Sequence, residues 1–124
     1  MWSSTAAVVS WAERALGVRT GTYPPADAPA DFAVVQRVGG DCAYPHDSPR
    51  FAVQVWTDTE AGAEQAALAL AAVLPNIVAS DPRINAVGTP SVTSIGRDEG
   101  GHFIWQLVFE LQCNIRADSP RLSR

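Results

Sequence analysis

The sequence predicts an α+β domain: a mainly antiparallel or mixed β-sheet with an N-terminal helix and one long helix, about 59–74, packed on one face. Three observations predict it. Apolar residues recur at helical spacing near the N-terminus and in an alanine-rich run after residue 59. They alternate with polar ones at 32–38, at 51–56 and over a long final stretch from 102, and clusters of Gly, Pro and Asp separate these runs.

Taken in order, Val8, Trp11, Ala12, Ala15 and Leu16 define an amphipathic helix over 4–16, with Ser3 or Ser4 as N-cap and Gly17 as terminator. Residues 18–23 are rich in β-formers and predict a short strand. The three prolines Pro24, Pro25 and Pro29 then forbid regular structure and predict a stiff, extended connector. From Phe32 to Val38 a strand places Phe32, Val34 and the stem of Gln36 on one side, and Ala33, Val35 and Arg37 on the other. Two glycines, two prolines, two aspartates and a serine in 39–50 predict a long, mobile loop before the next strand at 51–56.

Thr59 caps the long helix, Glu60 complements its dipole, and Pro75 is expected to end it after Leu74. Ala63, Ala67, Leu70 and Leu74 form its buried stripe, widened by Ala66 and Val73. A turn at 80–82, a strand at 86–95, a hairpin turn at 96–101 and a strand at 102–116 complete the chain. On that last strand Phe103, Trp105, Leu107, Phe109, Leu111 and Cys113 share the buried face. Ile104 and Val108 are apolar positions left on the other face, for a second layer or a neighbouring subunit.

With 124 residues and no low-complexity divider, one domain over 1–116 and a flexible basic tail over 117–124, carrying Arg121 and Arg124, are expected. No stretch of about 18 apolar residues and no basic leader is evident, so synthesis in the cytoplasm without membrane insertion is expected. Thirteen acidic residues oppose nine basic ones, all arginine. The absence of lysine excludes a P-loop, a Schiff base and a Ser-Lys dyad, and the net charge of −4 argues against a nucleic-acid grip. Cys42 and Cys113 form no CxxC pair and are expected to be reduced.

Candidate chemistry is sparse. Cys42, His46 and Asp47 contain the residue types of a nucleophile, base and orienting acid, but their segment has the character of a surface loop. His102 reads as a turn histidine. Asp98 and Glu99 are adjacent acids in an exposed hairpin turn, without the spacing of a calcium loop. Trp11, Trp56 and Trp105 fall on apolar alternations and read as core. No catalytic residue, metal or cofactor is predicted, and the chain is not expected to be an enzyme.

A longer pattern runs through Tyr23-Pro24, Asp27, Pro29, Phe32, Val34-Val35, Arg37 and Gly39-Gly40. It resumes at Pro49-Arg50-Phe51-Ala52-Val53-Gln54-Val55-Trp56 and continues into the alanine-rich helix. Over most of residues 5–112 this resembles the tail terminator proteins of long-tailed bacteriophages, especially those of actinobacteria. The markers are a strand ending in Arg-x-Gly-Gly, a Pro-Arg before the next strand, and a tryptophan closing that strand.

The resemblance implies a structural virion protein, assembled in the host cytoplasm. Its subunits close into a ring, usually of six, on the last ring of the tail tube, ending tube growth and offering a face to the neck proteins. Its partners would be further copies of itself, the tail tube protein and the head-tail connector, with genome DNA sliding through the lumen without specific binding; a net negative charge suits that passage. Arg37 and Arg50 are the candidate intersubunit or tube-facing ion-pair residues, or else the residues that hold the hairpin. Asp98, Glu99, Ile104 and Val108 complete the candidate interface. A head-tail adaptor of the neck and a small ligand-binding regulatory domain are the alternatives.

Overall fold

The computed structural model describes residues 2–116, so Arg121, Arg124 and the rest of the expected tail lie outside the described residues. Helix α1 (Ser4–Leu16) is followed by β1 (Arg19–Gly21), β2 (Phe32–Ala43), β3 (His46–Thr57) and α2 (Glu60–Val73). A 3-10 turn (Leu74–Asn76), α3 (Ile77–Ser80), β4 (Ile84–Val87), β5 (Ser91–Arg97) and β6 (Phe103–Asn114) complete the chain. The fold is α+β, with a six-stranded mixed sheet that is mostly antiparallel, as the apolar patterning implied.

The strand order is β1-β2-β3-β6, with β4 and β5 both lying along the outer edge of β6. Only β1 and β2 run parallel; every other pairing is antiparallel. Both helices cover one face. There Val8, Trp11 and Ala12 of α1 and Leu70, Leu74 and Ile77 of the long helical segment meet Val35, Phe51, Val53, Leu107, Phe109 and Leu111 of the sheet. Ser3 accepts from the Ala6 amide, and Gly17, at φ 69°, returns its amide to the Glu13 carbonyl, so α1 is capped as its sequence implies.

Three expectations are corrected. Residues 39–50 are not a loop: β2 and β3 pair without interruption from Gly39↔Arg50 to Ala43↔His46 around a turn at Tyr44-Pro45. The glycines that read as breakers are needed by the pairing. Gly40 sits at φ 104°, and a Cβ there would collide with the Ser48 carbonyl oxygen and the backbone of Pro49 and Arg50. A β-bulge between Arg37 and Gly39 absorbs the extra residue, Val38.

The long helical segment does not stop at Pro75 either. Losing one N–H tightens the backbone into the 3-10 turn, and the helix then resumes to Ser80. The reason lies in the buried stripe, which continues from Ala63, Ala67, Leu70 and Leu74 to a fully buried Ile77. By length and composition alone Glu60–Ser80 is long and apolar enough to cross a membrane; in the fold that stripe is the lid of the sheet. Val73, expected inside, is 37% exposed.

Finally, the strand expected at 86–95 is an edge broken into β4 and β5. Gly88 still donates to the Glu110 carbonyl at 2.9 Å, but Pro90 has no N–H to offer β6, and the ladder restarts at Ser91↔Val108.

Candidate assembly surfaces

The sheet ends in two unlike open edges. β1 pairs only with Phe32–Val34, so from Val35 to Ala43 β2 has no outer strand partner among the described residues. β5 is the other edge, exposed along almost its whole length. Each edge carries a large apolar side chain on its bulge: Val38 is 51% and Ile95 is 47% exposed. Tyr23 and Tyr44 add further exposed apolar area beside β2. Unpaired strand edges are sites where another chain adds on, unless bulges and charges blunt them.

Arg37 lies on the helix side, paired across the ladder with Phe51. Its guanidinium forks onto Asp47, Nη1 to Oδ2 and Nη2 to Oδ1, both at 2.8 Å, while Nε donates to the Gly39 carbonyl. The hydrogen bond to Asp47 raises the Arg37 pKa above its ordinary value, outweighing burial. Arg37 therefore anchors the outer half of the β2–β3 hairpin, one of the two roles its position suggested.

Arg50 occupies the uncovered face opposite Glu110, with the charges 3.9 Å apart and largely in solvent. Around it the uncovered face is polar. Ser48 bonds Gln112 at 2.9 Å, Gln54 bonds Gln106 at 3.4 Å, and the Trp56 indole donates to Gln54 at 3.2 Å. Val108 is half-buried among them, whereas Ile104, at 6% exposure, is buried within the chain itself. Ile104 pairs across the ladder with Trp56, which stacks on Phe32 with ring centroids 4.9 Å apart. This small second core was not legible as such, because Phe32, Trp56 and Ile104 come from three separate strands.

Asp98 and Glu99 form the β5–β6 turn. Glu99 is exposed, but Asp98 is structural: its carboxylate accepts from the His102 amide at 2.7 Å and its carbonyl from Gly101. His102 is not a surface turn residue. It is buried against Phe32 and Trp56, and Nε2 sits 2.8 Å from the Pro29 carbonyl. A carbonyl only accepts, so Nε2 carries the proton. The contact ties the proline-rich connector onto the sheet.

The trio Cys42, His46 and Asp47 does not converge. Cys42 and Asp47 share one cross-strand row and His46 belongs to the next, so their side chains leave opposite faces, and the Asp47 carboxylate is already held by Arg37. Asp47 also pairs with Cys113 on its other side, placing Cys42 and Cys113 two strands apart, roughly 10 Å and beyond disulfide reach. Both thiols are free, and burial pushes the Cys113 thiol up to about 11. Among the described residues no three His, Cys, Asp or Glu side chains gather to hold a metal ion.

Trp11 is buried in the core, while Trp56 and Trp105 are half-buried. One surface escaped the sequence pattern. The outer side of α2 exposes Leu68 at 50% together with Val73. No protein-family model matches the chain, and no curated protein matches it either.

Proposed function

We propose that the chain is a structural subunit of a bacteriophage tail, a tail terminator. Copies would close into a ring on the end of the tail tube, stop its growth and present a face to the neck. The observation that carries the reading is the pair of unlike open sheet edges, β2 with its hairpin and β5, each bearing an exposed apolar side chain. A head-to-tail ring needs two different lateral surfaces on every subunit, whereas a two-fold dimer needs only one surface used twice. The resemblance over most of residues 5–112 supports a tail assembly, and the edges offer a means of closing a ring.

Light scattering of the purified chain, alone and mixed with assembled tail tubes, followed by negative-stain imaging of the tube ends, tests the reading. Rings in solution, or caps on the tube ends that halt elongation, are expected. A chain that remains monomeric and leaves tube growth unchanged overturns it. Co-purification with capsid portal instead of tube would assign the subunit to the neck.

A further inference from the structure

Where β1 stops, the edge of the sheet has a notch one strand wide. β1 ends at Gly21, opposite Val34, and beyond it residues 36–43 of β2 are exposed and have no outer strand among the described residues. In an antiparallel pair the backbone groups of alternate residues point away from the partner, so every second N–H and C=O of this stretch points into the notch. Such a row is a template for one more strand.

The notch opens at the tip of the β2–β3 hairpin, and the chain itself comes back to that tip. After β6 ends at Asn114, the Ile115 amide donates to the Pro45 carbonyl at 2.8 Å and the Arg116 carbonyl accepts from the Tyr44 hydroxyl at 3.4 Å. Residues 117–124, Ala-Asp-Ser-Pro-Arg-Leu-Ser-Arg, follow. Two of them suffice to step one strand spacing, about 4.8 Å, from the tip to the outer side of β2, and the other six span about 20 Å when extended, the length of 38–43. Entering at the Ala43 end, they run antiparallel to β2, the more stable orientation.

The side chains fit the register this gives. Setting Ser119 beside Ala43 puts Arg121 opposite Asp41, which is exposed and belongs to no ion pair among the described residues. Leu122, the one large apolar side chain of the segment, falls one diagonal step from Val38, which is exposed on its bulge. Pro120 has no N–H, which an outermost strand tolerates.

We propose that the notch is the docking site of residues 117–124 of the same chain, which add to β2 as a further antiparallel strand. Docking within one copy does not require the ring; in a ring, the next copy would meet the docked strand in place of β2. Residue-resolved amide exchange tests this on the full chain, on a chain ending at Arg116, and on the full-length Leu122→Asp variant. The notch-facing amides of 38–43 should exchange at least tenfold more slowly in the full chain than in the shortened one. Leu122→Asp should lose most of that protection, amides bonded to β3 should keep their rates in all three chains, and tenfold dilution should change nothing.

Equal rates for the notch-facing amides in the full and shortened chains overturn the docking. A uniform change in both sets of amides, which reports global stability alone, overturns it too. Protection that fades on dilution would give the notch to a second copy and sink the assignment to the same chain. A full chain that stays monomeric, ignores tubes and keeps the protection removes the ring and upholds the docking.

Discussion

Arg37, opposite Phe51 in the β2–β3 ladder, reaches along the helix-covered face to Asp47, opposite Cys42, and forms a two-pronged ion pair, one partner one-third exposed and the other almost enclosed, with side-chain exposures of 33% and 8%. That asymmetry predicts unequal damage. Arg37→Ala strands a buried carboxylate and should cost about 3 kcal/mol in urea unfolding, whereas Asp47→Asn leaves a cation that can turn to water and should cost less than half as much. Equal losses from the two would show that burial of the carboxylate does not set the cost.

Gly40 is the position at which the hairpin has no room for a side chain. Gly40→Ala forces a Cβ into the Ser48 carbonyl at a φ of 104° and should cost about 2–3 kcal/mol, with exchange protection lost first in 39–50. Gly39→Ala has open space around it, so any effect there comes from its backbone angle alone. Amide exchange with mass spectrometry separates the two. Unchanged protection in Gly40→Ala would contradict the close approach.

His102 joins the sheet to the connector through Pro29, so His102→Ala should lose about 2–3 kcal/mol and expose 24–31 to limited proteolysis. Cleavage elsewhere, with the connector still protected, would show that the prolines hold it unaided.

The two thiols should react at very different rates. At pH 8 a disulfide reagent should modify Cys42 quickly and Cys113 only on unfolding. Because folding raises the Cys113 pKa from about 9 to about 11, the folded state holds that proton more tightly. Stability from this group is complete below pH 9 and is lost as pH rises to 11, by about 2 kcal/mol. Cys113→Ala should abolish that alkaline loss; persistence of the loss in the variant would assign it to another group.

Local physics made much of this legible in the sequence. Ser3, Gly17 and Thr59 mark helix ends through hydrogen bonds made within four residues, and the alternation at 32–38, 51–56 and 103–113 identifies strands because side-chain period follows directly from backbone geometry. Of the candidate interface, Arg50, Glu99 and Val108 are at least partly open to solvent, while Arg37, Asp98 and Ile104 are occupied by Asp47, His102 and the second core. Nothing within a short window of sequence distinguishes the two groups.

By itself the sequence determined the α+β class, the helix caps and which residues alternate, since these depend on interactions between near neighbours. Tertiary structure decided the rest. Gly39-Gly40 and Pro49 became part of a strand pair because β3 closes against β2, and Pro75 failed to end the helix because Ile77 had a core to enter. Each outcome depends on groups brought together from distant parts of the chain, and only closure of the sheet sets which of them meet.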